Sequence, residues 1–415
     1  MSKEPTNIRK QRLWVVSELY YPEETSTGYY LTRIAEGLAD DFEVKVLCGQ
    51  PTYSMRGTRA PKHEIHENVE IFRVAGTTLD KDVIPYRVIN MVTLGVSVLF
   101  AALRHFQKGD DVLVVTNPPS MPFVIAIAAL LKGSAYTLLI HDNYPELAIA
   151  AGKAKPGSFV VKAAKFANRL LYKHASKIIV VGRDMAELAR KKTGGLDIPI
   201  AVIPNWAELE TVEPRPRSEN PLLAELGLSD KCVFLYAGNM GHPNDLETII
   251  DTANDPEIDP RAHFVFLGTG AKRKWLEGEK LRHGSENVTI LDPKPRSEQT
   301  TFLNACDVAL VSLVKGMRSV SMPSRTYNAL AAGKPILALA ESGSEVDLVL
   351  DEEKAGWRVE PGDVRSMVDL VNEICADKHD LRSKCVNARS AALSKYSLET
   401  AVTAYKSVLG REKFY

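Results

Sequence analysis

A Pro-Ser-Arg turn that runs into a helix of small residues is the segment of this chain best suited to chemistry. It reads MPSRTYNALAAGKPILA over residues 322–338. Ser324 is placed to cap the helix, and Arg325 lies in its first turn. Free backbone N–H groups at a helix start attract anions, and a guanidinium beside them adds a second favourable charge. We therefore predict that this turn binds a phosphate or a pyrophosphate.

Short apolar runs alternate with helical patterns along both halves of the chain. They begin near residues 13, 44, 112, 136, 177 and 200, and again near residues 233, 263, 288, 308 and 336. Runs that are apolar throughout, with helices between them, are typical of parallel sheets covered on both faces. Residues 208–221, charged and with three prolines, read as a linker. We predict an α/β fold of two Rossmann-like, doubly wound domains that face a cleft, residues 1–207 and 222–397.

The composition argues against several classes of protein. The formal net charge is zero, which gives no support to nucleic-acid binding. The five cysteines are scattered without a Cys-x-x-Cys pair, which predicts reduced thiols in a cytoplasmic protein and no zinc site. Residues 1–12 are polar and charged, so no secretory signal is expected. The longest uncharged apolar run, residues 88–103, is 16 residues long. Since a bilayer requires about 20, we expect no transmembrane helix.

Six further segments follow one another in a recognisable order. The first three are YPEETSTGYYLTRIAEGLA (21–39), IHDNYPE (140–146) and VIPNWAE (202–208). The others are YAGNMG (236–241), FLGTGA (266–271) and ACDVALVSL (305–313). Together with residues 322–338, the set resembles family 4 (group 1) of the retaining GT-B glycosyltransferases over nearly the whole chain. Within that family it most resembles transferases of bacterial exopolysaccharide and lipopolysaccharide biosynthesis.

The resemblance implies a different role for each of the two domains. The first would bind the acceptor, and the second would bind a nucleotide diphosphate sugar and neutralise the leaving diphosphate. The catalytic residues implied are His141, Asp142 and Arg325, and the acceptor contacts are Thr27 and Glu146. The implied donor-binding residues are Gly28, Gly238, Asn239, Gly268, Gly270, Lys294, Lys315, Arg318, Ser324 and Asn328. Residues 398–415 would form a helix that crosses back to the first domain. Neither a cofactor nor a metal is expected.

The chain departs from the family pattern at two places. Asn239 and Asn244 stand where relatives commonly have an arginine and a lysine. Val320 and Asn328 stand at the two positions of the common Glu-x7-Glu motif. We assign neutralisation of the diphosphate, which the missing cations would otherwise provide, to Lys315, Arg318 and Arg325. We expect Asn328 to be a neutral partner for the donor ribose or sugar.

The expected activity is retaining transfer of a sugar from a UDP- or GDP-linked donor to a growing surface glycan or a lipid-linked acceptor. Two alternatives stay open at this point. A nucleotide-sugar epimerase shares the fold but needs acid/base carboxylates and histidines that the motifs do not supply. A non-catalytic nucleotide-sugar-binding protein would explain the missing glutamate and basic pair.

Two helical patterns suggest peripheral contact with a membrane. Asn90, Thr93 and Ser97 recur at helical spacing within the apolar run 88–103, which Arg87 and Arg104 flank. A second helix carries a basic stripe backed by apolar residues; the stripe consists of Lys162, Lys165, Arg169 and Lys173. We expect such a protein to lie on the inner face of the plasma membrane if these helices dock.

Overall fold

The computed structural model describes residues 10–51, 59–79 and 84–410. Its first sheet has eight strands in the order β3-β4-β2-β1-β5-β6-β7-β8, and only β3 runs antiparallel to its neighbour. The strands are β1 (Gln11–Ser17), β2 (Phe42–Cys48), β3 (His63–His66), β4 (Val69–Arg73), β5 (Asp111–Val115), β6 (Ala135–Ile140), β7 (Lys177–Val180) and β8 (Ile200–Val202).

Helices cover both faces of this sheet. Trp14 and Val16 of β1 point to one face, and Leu13 and Val15 point to the other. The helices of this part of the chain are α1 (Ser26–Leu38), α2 (Ile84–His105), α3 (Met121–Lys132), α4 (Glu146–Ala150), α5 (Phe159–Lys173) and α6 (Arg183–Thr193). Helices α2, α3, α5 and α6 pack on the face of Trp14, and α1 packs on the face of Leu13.

The second sheet has six parallel strands in the order β11-β10-β9-β12-β13-β14. The strands are β9 (Cys232–Ala237), β10 (Ala262–Leu267), β11 (Val288–Leu291), β12 (Val308–Ser312), β13 (Ile336–Leu339) and β14 (Gly356–Val359). Its helices are α7 (Pro221–Leu226), α8 (Leu246–Ala253), α9 (Arg273–His283), α10 (Gln299–Asn304), α11 (Arg325–Ala331), α12 (Glu345–Glu353), α13 (Val364–Ala376) and α14 (Lys378–Ser394). The two-domain α/β fold with parallel sheets is the one that the sequence predicts.

The last helix, α15 (Leu398–Leu409), returns to the first domain. Its buried Tyr405 and Leu409 join the core that α1 covers. A Cβ atom placed on Gly37 of α1 would lie 2.6 Å from Val402 of α15. The absence of a side chain at Gly37 therefore lets the two helices approach closely.

Helix α2 is long and apolar enough to cross a membrane by length and composition alone. The segment concerned is Pro85–His105, with a mean hydropathy of 1.7. It is longer than the apolar run read from the sequence because the helix extends beyond that run at both ends. In the fold, Leu94, Val98 and Ala102 of α2 are buried in the domain core against β strands and α3. The helix thus packs on the first domain through these residues, and 17% of its apolar window is buried.

Candidate functional site

Arg325 begins α11 at the cleft between the two domains. Its guanidinium carbon lies 4.6 Å from the centroid of the Tyr236 ring, at the end of β9. Its Nη2 donates to Oδ1 of Asn244 at 3.2 Å. Its Nη1 is buried and has no hydrogen-bond partner among the described residues. A charged donor that is held rigidly and left unsatisfied is well suited to receiving an anionic ligand.

Glycines in the loops after β9 and β10 bring the backbone close to this arginine. Gly238 and Gly268 have φ values of 146° and 143°, which L-residues with a side chain rarely adopt. A Cβ on Gly238 would lie 3.2 Å from the guanidinium carbon of Arg325. A Cβ on Gly268 would lie 2.1 Å from the carbonyl oxygen of Gly238, and one on Gly270 would lie 2.6 Å from Met240. These glycines allow the two loops and the guanidinium to pack together at the carboxyl ends of β9 and β10.

Ser324 has a different role from the cap that the sequence suggests. Its side chain makes no capping hydrogen bond to α11. Instead, its hydroxyl oxygen lies 2.8 Å from the hydroxyl oxygen of Ser26, in the first turn of α1. Because Ser26 belongs to the first domain, the pair joins the starts of α1 and α11 across the cleft. At α1 the cap is Thr25, which accepts from the backbone N–H of Gly28.

Neighbouring Thr27 and Gly28 lie in the first turn of α1, beside this contact. Thr27 is partly buried and Gly28 is buried. A Cβ on Gly28 would lie 2.7 Å from the carbonyl oxygen of Glu23. The glycine is therefore required for the loop before α1 to fold back on the helix.

Asn328, an expected contact of the donor ribose or sugar, has a protein partner. Its amide nitrogen donates to Oε1 of Glu208 at 2.5 Å, and its amide oxygen accepts from the backbone N–H of Glu208 at 3.1 Å. Glu208 is buried, and it also forms an ion pair with Arg296. Arg296 in turn stacks on the ring of Tyr29, 3.6 Å from its centroid. The amide of Asn328 is therefore committed to a buried network beside the cleft.

His141 and Asp142 follow β6 on the first-domain side of the cleft. The Nε2 atom of His141 is buried without a hydrogen-bond partner among the described residues. Burial lowers the pKa of His141 to about 4, so the ring is neutral at neutral pH. Burial raises the pKa of Asp142 to about 6, and a hydrogen bond from Ser321 of the second domain opposes that rise. The carboxylate of Asp142 is thus more basic than an ordinary aspartate.

Asp142 borders an apolar cavity of about 260 Å³ between α3, α4 and α5. The cavity is also lined by Pro122, Phe123, Ala164 and Leu171. A second cavity, of about 370 Å³, lies beside it and shares the lining residue Asn168. The charged residues that line this second cavity are Glu146, Lys165, Arg169, Lys191 and Lys192.

Glu146, an expected acceptor contact, is paired within the protein. Its carboxylate accepts from the ammonium of Lys192 at 2.5 Å. Lys192 also donates to the side-chain oxygen of Asn143 and to the carbonyl of Tyr144, both at 3.1 Å. Burial lowers the pKa of Lys192, and the charge of Glu146 opposes this effect. The pair fixes the loop after β6, which carries His141 and Asp142.

The segment 313–321 of the second domain, which carries two expected donor-binding cations, is bound to the first domain. The backbone N–H of Ser319, a residue with φ of 65°, donates to the carboxylate of Asp184 at 2.7 Å. The backbone N–H of Asn143 donates to the carbonyl of Val320 at 2.8 Å. The exposed Arg318 lies 3.8 Å from Glu187 of α6, and Lys315 is exposed nearby.

Three further residues named from the sequence are bonded within the second domain. Lys294 forms an ion pair with Glu298 at 2.7 Å. Asn239 is exposed, and its carbonyl accepts from the hydroxyl of Tyr236 and the amide of Asn244. The two asparagines that replace the family's basic pair therefore shape the loop after β9. No cluster of three or more His, Cys, Asp or Glu side chains able to hold a metal occurs in residues 10–51, 59–79 and 84–410.

Family models match both domains of the chain. Residues 26–206 match the glycosyl transferase 4-like domain, and residues 222–391 match the glycosyl transferases group 1. The chain belongs to the group 1 glycosyltransferases. This result confirms the predicted group 1 family and the glycosyltransferase class, in which sugar is transferred from nucleotide-sugar donors. Retention of configuration stays a prediction.

Two relatives that are named as glycosyltransferases are similar over most of their length. WbjE of Pseudomonas aeruginosa, named as a probable glycosyltransferase, is 29% identical over 97% of this chain and 99% of its own. WcaI of Escherichia coli K12 bears the name of a colanic acid biosynthesis glycosyl transferase. It is 25% identical over 79% of this chain and 83% of its own.

Solved structures confirm the GT-B fold. HepE of Anabaena, crystallised in complex with UDP-glucose, superposes with a TM-score of 0.71 and 16% identity. The match covers 96% of this chain and 99% of HepE.

Proposed function

We propose that this glycosyltransferase moves a hexose or deoxyhexose from a UDP- or GDP-linked donor, with retention of configuration, in the biosynthesis of a surface glycan. The observation that carries the proposal is the unpartnered Nη1 of Arg325, held over Tyr236 and Gly238 at the sheet edge. A diphosphate leaving group accumulates negative charge as the glycosidic bond breaks, and a fixed guanidinium stabilises that charge. The UDP-glucose complex of HepE, a relative in fold, supports a UDP-linked donor.

The residues of the first domain complete the proposed reaction. The bond between the sugar C1 and the diphosphate oxygen breaks, and the electron pair leaves with the diphosphate. The acceptor oxygen bonds to C1 on the same face, and its proton passes to the leaving diphosphate. Asp142 accepts a hydrogen bond from the acceptor hydroxyl and orients it. Neutral His141 hydrogen-bonds to the donor sugar or the acceptor through its free Nε2.

The cavities beside Asp142 favour a lipid-linked acceptor. The first cavity has mostly apolar walls, which suit a hydrocarbon chain. The adjoining cavity has four basic side chains against one acidic one, which suits a phosphate. An acceptor that carries a lipid phosphate and a sugar would place its hydrocarbon chain and its phosphate in these two cavities, next to Asp142.

We propose that transfer takes place on the cytoplasmic side of the membrane.

The test is an assay with a panel of nucleotide sugars and a lipid-phosphate-linked sugar as acceptor. We expect release of nucleotide diphosphate and a product whose anomeric configuration, measured by NMR, equals that of the donor. An inverted anomeric centre would refute retention. A donor epimerised at C2 without transfer would indicate an epimerase, and binding without release of diphosphate would indicate a non-catalytic protein.

A further inference from the structure

Helix α2 packs one apolar side against the domain core and presents a second apolar side to solvent, and Asn90 and Thr93 between them bond to residues of the same domain. The side-chain oxygen of Asn90 accepts from the hydroxyl of Thr77 at 2.7 Å and from the backbone of Leu79 at 3.0 Å. The hydroxyl of Thr93 lies 2.8 Å from that of Thr77. Asn90 and Thr93 are therefore bonded within the domain. An exposed apolar row runs along the other side, at a spacing of four residues: Val88, Val92, Val96 and Phe100.

Two neighbouring helices extend this apolar row. Helix α3 packs against α2 and exposes Ile127, Leu130 and Leu131, the last of these by 69%. Helix α5 packs against α3 and exposes Phe159, Val160, Phe166 and Leu170, with Phe159 exposed by 84%. We call these exposed residues of α2, α3 and α5 the apolar face. Contiguous apolar surface of this kind marks an interaction site in a soluble domain.

The charged side chains of the three helices have one sign. The sequences of α2, α3 and α5 contain no Asp or Glu. They contain seven Lys or Arg residues, namely Arg87, Arg104, Lys132, Lys162, Lys165, Arg169 and Lys173. The four on α5 form a basic stripe next to Phe166 and Leu170. An apolar surface bordered by cations matches the interface of an anionic bilayer, where apolar side chains enter the acyl boundary and cations meet headgroups.

We propose that the apolar face lies on an anionic lipid bilayer. The helices lie in the plane of the membrane, because Leu94, Val98 and Ala102 hold α2 in the domain core and cannot leave it without exposing that core. Helices α3 and α5 also line the apolar cavity that reaches Asp142. If the proposed lipid-linked acceptor is correct, docking brings its hydrocarbon chain to that cavity directly from the bilayer.

The test measures binding of the full chain to sedimenting vesicles, with no sugar substrate present. Its outcome is therefore independent of the proposed transfer. We expect binding to phosphatidylcholine vesicles that contain phosphatidylglycerol, weakened by salt, and little binding to phosphatidylcholine alone. The double variant Phe100→Asp/Leu131→Asp should bind at least about tenfold more weakly. The matched control is Leu281→Asp/Val386→Asp, which changes two exposed apolar residues of the second domain and should bind like the parent.

Charge reversal separates the electrostatic part of the interaction. Replacing Lys162, Lys165, Arg169 and Lys173 by Glu should abolish the preference for anionic vesicles. The control replaces the exposed Lys274 and Lys378 of the second domain by Glu and should leave the preference unchanged. Phe100→Trp should show a blue shift of emission on anionic vesicles, whereas Leu281→Trp should not.

Two results would overturn the proposal. One is equal vesicle binding by the parent and the Phe100→Asp/Leu131→Asp variant, with both shown to be folded by circular dichroism. The other is a parent protein that does not bind vesicles but forms a dimer in analytical ultracentrifugation, which the same double variant disrupts. In that case a second copy of the chain would cover the apolar face.

Discussion

Asn328 gives both polar atoms of its amide to Glu208, one to the carboxylate and one to the backbone. In the family that the sequence resembles, the second glutamate of the Glu-x7-Glu motif is expected at the position of Asn328. Here the space beside it already holds a buried carboxylate, that of Glu208. A second carboxylate would face the first one without water between them. The structure thus gives a physical reason for the neutral residue at this position.

This relationship predicts the effect of restoring the family residue. Asn328→Glu should destabilise the fold by about 3–5 kcal/mol, because it adds an unpaired buried charge beside Glu208. The double variant Asn328→Glu/Glu208→Gln keeps one carboxylate and one amide and should recover most of the loss. Urea unfolding of the parent, both single variants and the double variant gives the coupling directly. Additive effects of the two changes would contradict the interpretation.

Arg325→Ala should weaken binding of nucleotide diphosphate because it removes a charge-assisted contact with the phosphates. The expected cost is about 1.5–3 kcal/mol, or roughly a 10- to 150-fold rise in Kd, measured by calorimetry. Arg365→Ala is the control, since Arg365 is exposed on α13 and pairs with Glu257 and Asp369. We expect Lys315→Ala to weaken binding as well. Unchanged affinity in the Arg325 variant would remove the main support for the proposed donor site.

Turnover should fall on the acid side with an apparent pKa of about 6, because protonated Asp142 no longer accepts a hydrogen bond from the acceptor hydroxyl. Asp142→Asn should turn over slowly and lose this limb of the pH profile.

The raised pKa of Asp142 also lowers the stability of the folded state. That cost is absent at pH values below the ordinary aspartate pKa of about 4, develops as the pH rises, and is complete above about 6.

Thermal unfolding separates this electrostatic effect from simple loss of packing. Relative to the parent, Asp142→Asn should gain stability between pH 4 and pH 7. A difference in Tm that does not vary with pH would show that the carboxyl titrates with its ordinary pKa.

His141→Ala should lower turnover by roughly 100-fold while nucleotide affinity changes little, because the free Nε2 is expected to act on the reacting groups. Initial rates and calorimetry with the nucleotide alone give the two quantities. Circular dichroism serves as the folding control, since His141 is also a buried residue. Parent-like turnover in a folded variant would make His141 structural and move the search for the acceptor site to residues 25–28.

Much of the fold was predictable because most residues of the central strands are apolar, although β2 also contains Glu43 and Lys45. The strands β3, β4 and β14 were not predicted from the pattern. In β3, exposed and half-buried residues alternate, and β14 is a half-buried strand at the edge of its sheet. An edge strand buries too few side chains to produce a continuous apolar run.

The candidate site was predictable only in part. The sequence singled out Arg325, His141 and Asp142, and the structure places all three along the cleft. The sequence could not reveal the partner of Asn328, because Glu208 lies 120 residues away in the chain. The same holds for Ser26 and Ser324, which are 298 residues apart. Local propensity suggested a cap for Ser324, and a contact between domains took its place.

The bond from the backbone of Ser319 to Asp184 has a thermodynamic consequence. It holds the segment of Lys315 and Arg318 to the first domain, so the shape of that segment depends on closure of the cleft. A donor that binds the closed form better must therefore favour closure. By linkage, an acceptor that favours closure raises donor affinity by the same factor. The two substrates can then bind cooperatively through the domain equilibrium, even without touching each other.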